Sequence, residues 1–260
     1  MTKEYISLCV ALSSFIFTGN FAYSQEDLAQ QLSNPLADLV TVPIQSNHDS
    51  GLGVNGDGQR TTINLQPVIP FNLDNGATVV TRTIIPLVRQ KDVVPGTSQE
   101  GVGDISLSAW YSRSNENGVT WGIGPTLLIP TNSAVSGDTW GGGVTAIALK
   151  VSGNWTVGGL ASQTWSLGKD PTQKIDRTFL QPFIAYDAGQ GWTFSASAEG
   201  LYDRVTNDWS VPVTLAVSKL TRVGKLPVSW QLGSGYWATS PQVGPEGWRV
   251  RLAATVVLPK

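Results

Sequence analysis

Cysteine is scarce in this chain: of 260 residues only Cys9 carries a thiol, and it lies inside the first apolar stretch. Past that stretch no disulfide scaffold and no thiolate chemistry is open to the chain. Histidine is equally rare, with His48 alone, so no site with two histidine ligands can exist. Charged residues make up 14%, against about 25% in a typical soluble domain. The net charge is -2 and the pI near 5.4, which argues against a nucleic-acid partner. No run approaches the roughly 18 consecutive apolar residues of a membrane helix. What is abundant is glycine, at 28 residues, and tryptophan, at 10. With 15 prolines, that composition does not suit a helical bundle.

The N-terminus has the form of a secretory leader. Lys3 precedes the apolar stretch Ile6 to Phe17, and Ala22-Tyr-Ser24 supplies the small residues of a cleavage site. Residues 1–24 are therefore expected to be removed. Gln25 to Leu36 is the one helical pattern, with Leu28 and Leu32 four apart and Asn34-Pro35 ending it. A helix of that length is marginal alone, so it is expected as a short periplasmic segment, dispensable for folding.

From residue 37 onward the period becomes two. Ile63, Leu65, Ile69 and Phe71 alternate with Thr62, Asn64, Gln66 and Val68. Trp248, Val250, Leu252, Ala254, Val256 and Leu258 oppose Arg249, Arg251, Ala253 and Thr255. Such alternation describes strands with one apolar and one polar face. Twelve segments follow, at 38–48, 59–72, 77–89, 102–113, 118–131, 140–152, 154–167, 176–187, 191–204, 208–221, 226–239 and 246–259. Tight turns such as Asp74-Asn-Gly76 and Ser152-Gly-Asn154 alternate with mostly longer joins such as Asp49 to Gly58 and Gln90 to Gly101.

A leader, an even strand count and alternating short and long joins predict an all-β fold, an antiparallel outer-membrane barrel spanning 37–260. Closure is required, because an open edge in hydrocarbon leaves backbone groups unpaired. Trp140, Trp155, Trp192, Trp209 and Trp248 stand near strand starts, where interfacial girdles belong. A large apolar-cored sandwich is disfavoured, since the second face carries Ser, Thr, Asn, Gln and Gly. Pro43, Pro67, Pro70, Pro86, Pro125, Pro130, Pro182 and Pro212 fall inside proposed strands, so bulges or protruding strand ends are expected there.

Several motifs carry a family resemblance. They include Ser33-Asn-Pro-Leu-Ala-Asp-Leu-Val40, Leu65-Gln-Pro-Val-Ile-Pro-Phe71, Gly101-Val-Gly-Asp104, Trp121-Gly-Ile-Gly-Pro125, Phe179-Leu-Gln-Pro-Phe183 and Gly244-Pro-Glu-Gly-Trp248. Through them nearly the whole chain after the leader resembles the bacterial outer-membrane transporter family termed "MetA-pathway of phenol degradation". The resemblance implies a barrel with a role in uptake of small, aromatic compounds. It supplies no reaction, catalytic residue or cofactor.

Residues that could carry chemistry are few. His48, beside Asp49 and Ser50 at the start of a long join, is the one residue on which a hydrolase could rest. Gly51-Leu-Gly-Val-Asn-Gly56 matches G-x-G-x-x-G, but a strand follows instead of a helix, so it reads as a loop. Asp49, Asn55 and Asp57 match no calcium loop, and no metal or cofactor is expected. Arg82, Glu199, Asp203, Arg249 and Arg251 fall on the polar faces and are the candidates to line a lumen. Arg249 and Arg251 share one face, which would favour anionic solutes unless Glu199 or Asp203 neutralises them. The expectation is a passive channel for small solutes in the outer membrane of a Gram-negative bacterium, and not an enzyme. Its partners are outer-membrane lipid, the barrel-assembly machinery and a small-molecule solute. A hydrolase using His48 and a surface barrel with a filled lumen are the alternatives.

Overall fold

A computed structural model describes residues 25–168 and 174–259; the expected leader, 1–24, lies outside them. One helix, α1 (Gln25–Leu32), precedes fifteen strand segments. These are β1 (Val40–Leu52), β2 (Gly58–Leu65), β3 (Val68–Asn72), β4 (Thr78–Lys91), β5 (Ser98–Val102), β6 (Ile105–Ser114), β7 (Val119–Ile129) and β8 (Gly141–Ser152). They continue with β9 (Trp155–Ser166), β10 (Asp176–Gly189), β11 (Trp192–Ala198), β12 (Gly200–Asp203), β13 (Asp208–Val223), β14 (Leu226–Thr239) and β15 (Trp248–Leu258). Three pairs are single staves with a break: β2/β3 at Gln66-Pro67, β5/β6 at Gly103-Asp104, and β11/β12 at Glu199. The result is twelve staves, each antiparallel to the next. β1 pairs with β15 from Val40↔Leu258 to His48↔Val250, which closes the sheet.

Prolines sit where the ladders are irregular. Pro67 lies in the β2/β3 break, and the β13–β14 register shifts between Val211 and Pro212. The β6–β7 ladder keeps Ser108↔Thr126 and Tyr111↔Ile123 but skips Ala109 and Trp110, opposite Gly124 and Pro125. A Cβ at Gly124 would lie 1.9 Å from the Ala109 carbonyl oxygen, so only glycine permits this approach. The hairpin turns follow local chemistry as well. Asn75 Oδ1 accepts from the Ala77 amide and Gly76 takes φ 76°.

The apolar faces point outward. Leu252 is 54% exposed, Leu232 57% and Leu215 65%, an arrangement that a water-soluble surface does not carry around its girth. Exposed aromatics flank this band. Trp155, Trp192 and Trp230 stand near the end with the short turns, and Trp140, Trp209 and Trp248 near the end with the longer loops. Trp248 meets Tyr236 edge-on at 5.4 Å, and Lys219 lies 4.7 Å from the Trp192 ring. Such girdles mark the two interfaces of a spanning barrel.

Two expected loops are shorter than the sequence pattern implies. β1 runs on to Leu52, and β4 and β5 extend to Lys91 and back from Ser98. The wall between them therefore rises past the loop-end girdle as polar strand. Polar residues on both faces, such as His48, Asp49, Arg89 and Gln90, hide this extension from a periodicity argument.

Candidate functional site

The inward faces enclose the candidate site. On β1, Gln45, Asn47 and Asp49 face in; on β15, Arg249 and Arg251 do so, at 8% and 6% exposure. Asp49 accepts from Arg249 through both carboxylate oxygens, at 2.8 Å to Nε and 3.1 Å to Nη2. Trp237 Nε1 donates to the same carboxylate at 2.8 Å, and its ring lies 4.5 Å from the Arg249 guanidinium. Arg251 donates from Nε to Asn47 Oδ1 at 2.8 Å. Its Nη2 lies 2.8 Å from Glu199 Oε1, and Arg249 Nη1 lies 3.4 Å from Glu199 Oε2. Glu199 points into the lumen by the same strand alternation that turns Thr193, Ser195 and Ser197 inward, and the register with β10 and β13 is the same on both sides of the β11/β12 break. Two arginines and two carboxylates thus form one network with no surplus charge.

Asp203, nearer the loop end, pairs with Arg177 at 2.8 Å. Arg60, opposite Asp49 in register, donates to Gln90 Oε1 at 2.8 Å. Arg82 differs from these. Its Nε is buried and has no hydrogen-bond partner, and its guanidinium lies 5.2 Å from the ring of Trp110. From Arg82 to the loop end, Arg60, Arg82, Arg177, Arg249 and Arg251 stand against Asp49, Glu199 and Asp203, a positive excess; the turn end carries the acidic Asp187 and Glu26.

The lumen holds two main cavities. One of about 360 Å³ lies between Arg82 and Glu199 and extends past Ser108, Leu160 and Phe179. A second of about 310 Å³ lies toward the short turns, among Ser195, Ser218, Gln231 and Thr255. Gln45, Gln66 and Gln181 border both. The boundary between the cavities is therefore formed in part by neutral amides, which can solvate either sign of charge.

At the turn end the lumen is filled by the N-terminal segment. α1 ends earlier than its sequence pattern, at Leu32, and lies against β10 and β11. Leu28 and Ala29, each 3% exposed, pack with Leu39, Leu220 and Val257. Gln25 Nε2 donates to the Leu220 carbonyl at 2.8 Å, and Glu26 Oε1 accepts from the Gln190 amide at 3.2 Å. The chain then crosses to the opposite wall, where Leu36 joins Val80, Trp110, Ile147, Leu149 and Leu160. Trp110 is 1% exposed and donates from Nε1 to Thr145 Oγ1 at 3.2 Å.

The remaining residues singled out by sequence lie elsewhere. His48 is within β1, not in a loop, and is exposed on the outer face, where Nδ1 contacts Thr61 Oγ1 at 3.0 Å. Asp49 faces the other way and is taken by Arg249 and Trp237, so it neither orients His48 nor joins Asn55 and Asp57. The glycine motif ends β1 and forms a hairpin, with Gly53 and Gly56 at φ 83° and 72°. The loop-end residues of this hairpin are tied down, since Gly53 donates to the Val243 carbonyl at 2.9 Å. Among the described residues no cluster of His, Cys, Asp and Glu could hold a metal ion.

No family model matches the chain, and no curated protein matches it. Solved structures do. The COG4313 outer membrane channel from Pseudomonas putida F1 superposes with a TM-score of 0.65 at 18% identity, over 86% of this chain and 97% of that one. The NanC porin gives 0.52 at 9% identity, over 84% and 98%. The KdgM porin, in complex with disordered oligogalacturonate, gives 0.50 at 11% identity, over 83% and 98%. At these identities the likeness is one of fold. The chain has the fold of an outer-membrane β-barrel.

Proposed function

We propose that this barrel passes small solutes passively across the outer membrane. The observation that carries the reading is the pair of unfilled cavities that share Gln45, Gln66 and Gln181 at their boundary inside a closed wall. A barrel built only as a surface scaffold has no need of an unfilled, amide-lined interior. The positive excess of the loop-end part of the lumen favours anionic solutes, and the resemblance to the phenol-degradation family favours small aromatic ones. Nothing in the sequence suggests a nucleotide site, so transport runs down the solute gradient.

Passage is slow or gated by this reading, because α1 and the residues through Leu39 occupy the turn end. The hydrolase alternative draws no support from His48. Its outward ring contacts a neutral threonine, and its carboxylate neighbour is on the opposite face.

Planar-bilayer recording of the refolded chain tests the proposal. Discrete conductance steps, with a reversal potential displaced toward anions across a salt gradient, are expected. Absence of steps together with absence of solute flux into liposomes, for protein shown to be folded by heat-modifiable migration, would leave the filled-barrel reading instead.

A further inference from the structure

We infer that Arg82 is the anchor of a binding site for the carboxylate of a small organic acid with an apolar body. The inference rests on the solute-channel reading and names the class of solute. Four lumen arginines have acceptors: Gln90 for Arg60, Asp203 for Arg177, Asp49 and Glu199 for Arg249, and Asn47 and Glu199 for Arg251. Arg82 has none among the described residues, and its Nε is sealed from solvent without a partner. Glu199 faces the same cavity, but its two oxygens are committed to Arg249 and Arg251. An unpaired cation in a low-dielectric wall is costly, and an entering anion relieves that cost.

The surroundings define the acid. The guanidinium lies against the Trp110 ring, which is itself held by its bond to Thr145. With Nε sealed, the two terminal nitrogens are the ones that can reach a carboxylate in the cavity, and as a pair they can make two parallel bonds, which an ammonium cannot do. The hydroxyls of Ser108 and Thr126, already bonded to one another at 3.0 Å, border the same space. Phe179 and Leu160 form an apolar wall to the cavity, which at about 360 Å³ is at the small end of ligand pockets. A free phosphate or sulfate would satisfy the charge and leave that wall unused. A compact monocarboxylate with a ring or short chain satisfies both.

Sodium benzoate is a suitable probe, with neutral benzamide as its control. Calorimetric titration of the refolded full chain in detergent is expected to show benzoate binding and none for benzamide. Arg82→Gln should weaken benzoate binding by about tenfold or more, with Arg82→Lys intermediate. Heat-modifiable migration checks folding; should Arg82→Gln fail to fold, Arg82→Lys carries the comparison. Equal affinity of wild type and the folded variant for benzoate overturns the site, as does equal binding of benzamide or no binding into the millimolar range. Inorganic sulfate competing as well as benzoate would reduce it to a general anion site and overturn the organic-acid assignment. Bilayer recording separates the two readings. Conductance without benzoate binding removes the site and keeps the channel; binding without conductance keeps the site and removes the channel.

Discussion

Replacing Glu199 by Gln removes one negative charge from the wall of the lumen cavity while leaving a side-chain oxygen for Arg251. The inner network then changes from balanced to one surplus positive charge, in addition to Arg82. A unit charge at about 7 Å from an ion on the axis contributes roughly 0.6 kcal/mol in water and about 2.4 kcal/mol at an effective dielectric constant of about 20. The probability of an anion occupying that position should therefore rise by about threefold to fiftyfold. The assay is the reversal potential in a planar bilayer across a KCl gradient kept at or below about 0.1 M, where the screening length is about 10 Å. Chloride over potassium selectivity is expected to increase. The increase should fade near 1 M salt, where screening acts within about 3 Å. A reversal potential identical to wild type at low salt would show that ions do not pass the Glu199 network, and would refute the placement of the conduction path.

Three further outcomes are expected. Deleting residues 25–37 should raise single-channel conductance and leave the β signal in circular dichroism unchanged, since the twelve staves close through their own ladders; unchanged conductance would show that the segment does not limit flow. Trp110→Ala empties a site that is 1% exposed and should cost about 3–5 kcal/mol of stability, read from urea unfolding in lipid; a loss below about 1 kcal/mol would contradict its packing. Leu252→Arg places a charge on the lipid face and should cost about 2–4 kcal/mol, a penalty absent if that face meets water.

The staves were legible because alternation is imposed by a wall between lipid and water. Wherever that contrast holds, as along Trp248 to Leu258, pattern and strand coincide. It fails above the loop-end girdle, where both faces are wet, and so Asp49 reads as a loop residue although it is buried against Arg249. Trp110 falls on the face shared by Ser106, Ser108 and Ser112, and its bulk there is the one sequence sign that part of the lumen is filled. Leu28, Leu32 and Leu36 recur every four residues, a stripe that has to be covered by something. Which wall covers it depends on contacts about 190 residues away, such as Leu28 with Leu220, and no local pattern encodes those. The breaks at Gln66 and Asp104 are equally silent. The one at Glu199 is visible only as a charged residue followed by glycine.

The seam between β1 and β15 joins the first stave to the last, so the cylinder cannot shut until the whole chain is present. Asp49 meets Arg249 across 200 residues, and Asn47 meets Arg251 across 204. A slip of one residue at the seam would turn both guanidinium groups outward and strand their acceptors inside, at about 1–3 kcal/mol or more for each buried group left without its partner. The buried polar contacts at this joint therefore act as a register check on closure. They reject misaligned seams at the one step of assembly where the hydrogen-bond ladder alone would accept several.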